Sequence, residues 1–276
     1  MTDTTLVPPD ALSGVRVALS VSDSSDLARL GLTTEHLDLV VAEVARAVIL
    51  AGGIIAYGGR LRPEGFTQIV MGEVRRYGDG RHAVEIYVPE PQYRDIPFHD
   101  LSAMDKRLGT SGSIRLVTSS GATKSISELS YHGEPGSSVS DAEALTAMRR
   151  NVSQLSDARL AVGGKLSGYT GAEPGVIEEV RLSLESSKPV YVAGGYGGAA
   201  AAIAKKLGYD SFDWAPPDFP SGAHSPEVSA SLGQLSTVAS GKVEDGLTAD
   251  DRRVLAVSHR PSDIATLVVQ GLAQRR

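Results

Sequence analysis

The stretch "AVGGKLSGYTGAEPGVIEEV", residues 161–180, decides the fold because it joins an apolar run to a helix through a glycine-rich loop. The apolar residues of 158–164 predict a buried strand, and residues 174–187 predict a helix. Glycines at a strand end let the backbone approach a ligand, and the free amides at a following helix start attract phosphate. The stretch therefore predicts a strand–loop–helix unit with an edge that can bind an anion.

The same alternation of strands and helices continues on both sides of this unit. Further strands are predicted at 15–22, 53–59, 82–91, 113–119 and 189–195. Further helices are predicted at 35–51, 64–78, 99–109, 140–157, 198–210, 226–236, 248–257 and 261–275, and residues 120–140 predict a Ser/Gly-rich loop. This α/β pattern predicts a Rossmann-like parallel sheet with helices on both faces. We expect a disordered start over 1–14 and a single domain over 15–276.

The composition excludes several classes of site. The 276 residues include no cysteine, which excludes disulfides and thiolate chemistry, and the six histidines are scattered, so we expect no metal and no cofactor. The net charge of −6, without a run of Lys or Arg, argues against nucleic acid as a partner. No apolar run approaches the roughly 20 residues of a membrane span. The N-terminus lacks the features of a signal peptide, so we expect a cytoplasmic protein.

Four predicted strands end in residues that suit a phosphate-bearing ligand. The strand over 15–22 ends with the hydroxyls of Ser20 and Ser22, and the strand over 53–59 ends with Gly58, Gly59 and Arg60. The strand over 158–164 ends with Gly163, Gly164 and Lys165, and the strand over 189–195 with Gly194, Gly195, Tyr196 and Gly197. The carboxyl ends of parallel strands meet at one edge, where ligands of such sheets bind. The simpler alternative is that these glycines only make tight turns. None of the four matches GxGxxG or a Walker motif, which disfavours an ordinary dinucleotide or ATP-hydrolase site.

Two glutamates follow in the first turns of the helix that begins near Pro174. Glu178 and Glu179 suit the helix dipole there, which is a sufficient structural reason for them. Neighbouring helical residues point about 100° apart, so only one of the pair can face a cleft. A carboxylate in a nucleotide pocket could accept ribose hydroxyls or stabilise an oxocarbenium-like centre. On the preceding helix, Arg149 or Arg150 could bind phosphate as a bidentate fork.

The order of these motifs resembles a known family. The segments "MRRNVSQLSDARLAVGGKLSGYTGAEPGVIEEV" (148–180) and "PVYVAGGYGGAA" (189–200) resemble the SLOG superfamily, whose Rossmann-like domains are related to the phosphoribohydrolases called LOG and to the Smf/DprA proteins. The strand ends "VALSVSDS" (17–24) and "GGIIAYGG" (52–59) are similar to the same fold. The tail "GLTADDRRVLAVSHRPSDIATLVVQGL" (246–272) resembles the closing helices of bacterial SLOG proteins linked to nucleotide signalling and antiphage defence.

The resemblance implies a nucleotide-derived ligand over the glycine loops. In the hydrolase branch, an arginine on the preceding helix and a glutamate in a PGGxGTxxE-type motif cleave an N-glycosidic bond; these would be Arg149 (or Arg150) and Glu178 or Glu179. Here the insert "KLSGYTGAE" separates Gly163–Gly164 from Pro174–Gly175, and no "GT" precedes the glutamates.

In the sensor branch, Lys165 and Glu178 would bind an ADP-ribose-type signal, with Gly175 in the binding loop. A sensing module is therefore preferred. An N-glycosidase or deoxyribosyltransferase-like enzyme, and a subunit that binds an effector protein without a ligand, stay open.

Two predicted helices are unusually apolar. Residues 35–51 and 198–207 carry few charges on any face. A helix on the outside of a covered sheet normally keeps a solvated side. These helices are therefore either buried within one subunit or packed against another copy, and the second alternative predicts a homo-oligomer with a two-fold contact.

Overall fold

One seven-stranded sheet organises the computed structural model, which describes residues 7–59, 61, 64–129, 139–239 and 243–275. The strands are β1 (Arg16–Ser22), β2 (Ile54–Gly58), β3 (Val84–Pro89), β4 (Gly112–Val117), β5 (Thr123–Lys124), β6 (Ala158–Gly163) and β7 (Val190–Ala193). Their order is β5–β4–β3–β2–β1–β6–β7, and all neighbours pair in parallel except β4 with β5. The predicted Rossmann-like parallel sheet is confirmed.

Helices cover both faces of this sheet. They are α1 (Thr34–Leu50), α2 (Phe66–Tyr77), α3 (Glu90–Arg94), α4 (Phe98–Leu108), α5 (Asp141–Leu155), α6 (Gly175–Glu185), α7 (Gly198–Lys206), α8 (Pro226–Ala239), α9 (Ala249–Val257) and α10 (Pro261–Gln274). On one face, α1 packs against α2 and α10; on the other, α5 packs against α6 and contacts β1, β2, β3 and β4. Each predicted helix is present, with ends that differ by at most four residues.

Two short elements lie where the sequence predicts something else. The strand predicted over 82–91 ends at Pro89, and α3 begins at once because a proline is compatible with the first turn of a helix. The edge strand β5 lies inside the predicted loop 120–140, paired with Leu116 and Val117. Residues 130–138 of that loop lie outside the described residues.

The chain before β1 is part of the packed domain. Leu12, within the segment 1–14 for which we expect disorder, is fully buried. Its N–H donates to the carbonyl of Ala51 over 2.7 Å, which ties it to the end of α1. The fold therefore includes residues before Val15, and residues 1–6 are not described.

The two apolar helices are covered within the chain. Leu37, Val40, Val44 and Val48 of α1 are buried, and this helix contacts α2 and α10. Every residue from Gly198 to Ala204 of α7 is buried, and α7 contacts β6, β7, α6 and α8. Their composition therefore needs no second copy, and a homo-oligomer stays a prediction. Within the described residues, no helix is long and apolar enough to cross a membrane.

Candidate functional site

A cavity of about 270 Å³ opens at the carboxyl ends of the central strands. The ends of β1 and β2 contribute Ser22, Gly58 and Gly59 to its lining. The elements around β6 contribute Arg149, Lys165, Gly175 and Glu179. Seven of the residues predicted from the sequence to form a site therefore lie around one cavity, at the sheet edge where ligands of such folds bind.

The loop after β6 gives this cavity its shape. Gly164 has φ of +102°, and its N–H donates to the carbonyl of Ser22 over 2.9 Å, which turns the chain away from the sheet. The chain returns to α6 at Gly175, where an added Cβ would collide with the guanidinium of Arg149. A side chain at position 175 would thus displace the arginine, so the bare backbone of α6 is what lets Arg149 lie against the start of that helix.

Arg149 lies between the cavity and a buried carboxylate. Its Nη1 donates to Oε2 of Glu178, and its Nη2 lies 3.5 Å from the carbonyl of Thr170. Glu178 is 1% exposed, and Thr146 Oγ1 donates to its other oxygen over 2.5 Å. Glu178, assigned to ribose by the resemblance, is therefore enclosed behind Arg149. The reason is its place on the inward side of α6, where the two ion-paired side chains neutralise each other.

Glu179 is the glutamate that lines the cavity. Its Oε2 accepts hydrogen bonds from Ser20 Oγ and, over 3.1 Å, from Arg159 Nη1. Its Oε1 lies 3.5 Å from Nε of Arg149, and that buried Nε has no hydrogen-bond partner in the described part of the chain. The side chain is 16% exposed. One carboxylate oxygen is thus fully engaged with the protein, while the other lies on the side of Arg149.

Arg159 holds Glu179 from below and was not predicted from the sequence. It is 1% exposed on β6, and its guanidinium donates to Ser183, Ser20 and Ser153 over 2.7, 2.6 and 2.9 Å. Burial lowers the pKa of this guanidinium, and the charge of Glu179 opposes that shift. The available signal was a charged residue inside the apolar run "ARLAVGG", because a buried charge needs a partner.

Two further polar residues, Tyr57 and Lys165, belong to the wall. The phenol of Tyr57 lines the cavity beside Glu179, and both burial and the negative charge of Glu179 raise the pKa of Tyr57. Lys165 is exposed, and its backbone N–H donates to Ser22 Oγ over 3.3 Å. The lysine side chain is therefore free to reach an anion at the mouth of the cavity, while its backbone joins the β1 and β6 ends.

The remaining predicted residues lie elsewhere. Ser20 is buried below Glu179. Gly163 has φ of +60°, and an added Cβ there would collide with the carbonyl of Ser22. Gly163 and Gly164 are therefore needed for the turn after β6. Arg150 is exposed and lines a different cavity, so Arg149 is the one of the two arginines that lines the cavity at the strand ends. Arg60 lies outside the described residues.

The end of β7 does not reach the cavity. Gly194, Gly195 and Tyr196 are buried, and the carbonyls of Val257 and Ser258 occupy the space beside Gly195. Tyr196 donates to the carbonyl of His259 over 3.1 Å, and burial raises the pKa of this tyrosine to about 12. Gly197 lies against Asp26. The connection between α9 and α10 therefore covers this strand end, and its glycines permit that close backbone packing.

No group of three or more acidic or histidine side chains that could hold a metal ion occurs in the described ranges. Four charged side chains at or directly behind the cavity are paired with one another. Arg149 and Arg159 contribute two positive charges, and Glu178 and Glu179 two negative ones, which sum to zero. Lys165 then leaves one positive charge, which suits an anionic ligand.

Comparison with known proteins gives one family. A family profile described as SLOG cluster2 matches residues 11–228. The matched range contains all seven strands and every cavity residue named above. No curated protein matches the chain.

Proposed function

The chain belongs to the SLOG superfamily, which supports a nucleotide-related function, and from that premise we propose that it binds a nucleotide-derived signal. The ligand class is ADP-ribose-like or cyclic nucleotide, and the setting is a bacterial signalling or antiphage defence system. The observation that carries the proposal is the single cavity that Lys165, Arg149, Glu179 and the start of α6 line together. The class and the setting follow from the resemblance described above.

Phosphate recognition is supported at the β6–α6 side of the cavity. The first N–H groups of an α-helix have no intrahelical partner, and the helix dipole favours negative charge there. Arg149, which is ion-paired with Glu178, and the exposed Lys165 line the same cavity. The exposed lysine supplies a flexible point charge and the held arginine a fixed one, so a phosphate or diphosphate would receive both direct charge and backbone donors.

Ribose recognition is supported by Glu179. Oε2 of Glu179 accepts hydrogen bonds from Ser20 and Arg159, and these two bonds fix the orientation of the carboxylate. Oε1 then offers an acceptor to sugar hydroxyls, which are donors that a ligand would bring. The charge of Glu179 is partly balanced by the guanidinium of Arg159 at 3.1 Å and by that of Arg149 at 3.5 Å, so it offers an oxocarbenium ion less stabilisation than a lone carboxylate would. This balance favours binding over glycosidic cleavage.

Thermal unfolding with candidate ligands tests the proposal. We expect ADP-ribose, a cyclic ADP-ribose isomer or AMP to raise the melting temperature, since a ligand at 100 times its dissociation constant stabilises the folded state by about 2.7 kcal/mol. Lys165→Ala should reduce the shift. Lys206→Ala is the matched control, because Lys206 is exposed at the end of α7, toward the opposite edge of the sheet. An unchanged melting temperature with all three compounds would contradict the proposal.

An N-glycosidase or transferase is the second candidate function. The observation in its favour is that a carboxylate and an arginine, Glu179 and Arg149, share the cavity, as the hydrolase branch of the resemblance requires. Incubation with AMP or NAD, followed by chromatography of the free base, tests it. Base release by the unmodified protein that disappears in Glu179→Gln would establish the enzyme. Binding without release supports the sensor.

A further inference from the structure

The loop between β6 and α6 places an aromatic residue at the cavity. The loop contains the insert "KLSGYTGAE" (165–173), and its Tyr169 lines the cavity together with Lys165. Gly168 and Gly171 lie on either side of Tyr169, with φ of +61° and +119°. These values are in the region that favours glycine, so the two glycines set the course of the chain around Tyr169.

Arg149 contacts the same part of the loop. Its Nη2 lies 3.5 Å from the carbonyl of Thr170, the residue after Tyr169. An added Cβ at Gly171 would lie 3.0 Å from Nη1 of Arg149, so the bare backbone of Gly171 lets the loop approach the guanidinium closely. Tyr169 therefore belongs to a segment held against one of the two side chains proposed for phosphate, and it follows the other, Lys165, by four residues.

The ring of Tyr169 is not covered by the rest of the protein. Tyr77 and Tyr209 are also partly exposed, and each has an arginine guanidinium over its ring, with 5.2 and 5.6 Å from Cζ to the ring centre. Tyr169 has no such cation, no ring contact and no hydrogen bond in the described part of the chain. Its aromatic surface is therefore available to a ligand.

Apolar side chains lie in the same part of the cavity. Pro89, Leu145 and Met148 line it together with Tyr169. Thr170, next to Tyr169, also lines an adjoining cavity of about 370 Å³ with Pro89 and Leu145. The segment 169–170 thus reaches the apolar side of the cavity, where a flat ring would be removed from water.

We propose that Tyr169 stacks on the nucleobase of a ligand whose phosphate is bound by Lys165 and Arg149. Every base has an aromatic face, so stacking recognises the presence of a base and tolerates changes in its identity. The ligand class is therefore a ribose phosphate that carries a base, and the class discriminated against is the bare sugar phosphate. This inference rests on the proposed function, because it takes the phosphate position from it.

Calorimetric titration with AMP, GMP and ribose 5-phosphate tests the inference. We expect the unmodified protein to bind both nucleotides about tenfold or more tightly than ribose 5-phosphate, which lacks the base. Tyr169→Ala should lose this preference and bind ribose 5-phosphate as before. Tyr169→Phe keeps the ring and should retain the preference. Lys165→Ala should weaken AMP and ribose 5-phosphate by the same factor, because both carry the phosphate.

A control variant and a spectroscopic signature separate stacking from a structural effect. Tyr77→Ala removes a partly exposed tyrosine on α2 that does not line the cavity, and it should leave the ratio of the affinities unchanged. In proton NMR spectra, the adenine H2 and H8 signals of bound AMP should move upfield, because they lie over an aromatic ring. This shift should be lost in Tyr169→Ala and kept in Tyr169→Phe.

The outcomes that contradict the inference are distinct from those that contradict nucleotide binding. Equal affinities for AMP and ribose 5-phosphate, or a preference for AMP that GMP does not share, would overturn the stacking role and leave phosphate binding intact. A preference and an upfield shift that persist in Tyr169→Ala, or that disappear in Tyr169→Phe as well, would do the same. Failure of all three compounds to bind would overturn both proposals.

Discussion

Nη1 of Arg159 lies 3.1 Å from Oε2 of Glu179, and this contact joins a fully buried cation to the carboxylate of the cavity. Arg149 approaches the other oxygen of Glu179, with 3.5 Å between Nε and Oε1. The carboxylate is therefore held from two sides, and its orientation is set by the β6 strand beneath it. A ligand would meet a preorganised acceptor, which lowers the cost of ordering the side chain on binding.

The first prediction concerns the sugar. Glu179→Gln should reduce the preference for AMP over 2′,3′-dideoxyadenosine monophosphate by about 10- to 100-fold, because hydrogen bonds to a charged acceptor are worth about 1.5–3 kcal/mol. The ratio of two affinities measured on one variant is insensitive to a general loss of stability. Glu178→Gln is the control, since Glu178 lies behind Arg149, and it should keep the preference. An unchanged ratio in Glu179→Gln would show that ribose does not bind there.

The second prediction concerns the buried pair. Arg159→Met should lower the free energy of unfolding by about 3–5 kcal/mol, because it leaves Glu179 without its buried partner. Combining it with Glu179→Gln should cost less than the sum of the two single changes, with a coupling of about 0.5–3 kcal/mol. Urea denaturation measures these values.

Arg253→Met provides the comparison for that cycle. Arg253 pairs with Asp210 over 3.0 Å, but its side chain is 72% exposed, so the change should stay within about 1 kcal/mol. Additivity of Arg159→Met and Glu179→Gln would contradict the contact that joins these two residues.

The third prediction concerns the glycine at the start of α6. A methyl group at position 175 would meet the flexible end of Arg149 and displace it, so Gly175→Ala should weaken AMP binding by about tenfold. The free energy of unfolding should fall as well, because displacing Arg149 weakens its ion pair with the buried Glu178 by more than the preference of a helix for Ala over Gly offsets. Gly72→Ala is matched to it: Gly72 lies in α2 with nothing within 4 Å of an added Cβ. That variant should gain about 0.5–1 kcal/mol of stability and keep its affinity.

The fold was predictable because its signals are local. Apolar runs that end in glycine, such as "ARLAVGG", identify the strands, and the capping box of Ser140 and Glu143 marks the start of α5 as predicted. The carboxyl end of β3 was less predictable. Pro89 and Pro91 indicate the end of a strand, but they do not indicate that a helix begins between them, although a helix tolerates proline in its first turn. Residues 198–204 look like an interface from composition alone, and only the packing of α6 and α8 shows how they are covered.

The site was predictable in its residue types and less so in its arrangement. The spacing of Glu178 and Glu179 established that only one could face the cleft, but the phase of α6 was needed to identify Glu179. The glycines after β7 carry the same local pattern as those after β6. What separates the two strand ends is the connection near Ser258, more than 60 residues further along the chain, and no local pattern reports a contact of that kind.

The apolar composition of α1 and α7, on which the prediction of a homo-oligomer was based, no longer supports it. The apolar faces of α1 and α7 are buried within one chain, although Leu39 and Leu50 of α1 remain about half exposed. Light scattering decides the question directly. A mass of twice 28.9 kDa would support the assembly, and a mass near 28.9 kDa, unchanged by nucleotide, would contradict it.

The last prediction concerns acid stability and a carboxylate far from the cavity edge. Glu85 on β3 is 3% exposed; Arg16 Nε lies 3.2 Å away, Tyr87 donates to it over 2.9 Å, and Arg115 and His82 lie 3.4 Å away. Burial acts to raise the pKa of Glu85, but the hydrogen bond from Tyr87 and the charges of Arg16 and Arg115 hold it below its ordinary value.

A folded-state pKa below the unfolded value of about 4.3 means that the unfolded chain binds the proton more tightly. The stability contributed by Glu85 is therefore fully present above about pH 4.3 and is lost as the pH falls through the lower folded pKa. Glu85→Gln should reduce the free energy of unfolding by about 1–3 kcal/mol at pH 7, and the difference from the unmodified protein should shrink below about pH 4.3. Urea denaturation at a series of pH values measures this, with Glu227→Gln on the exposed side of α8 as the control that changes little. A difference that stays constant from pH 7 to pH 3 would show that Glu85 contributes through packing and not through its charge.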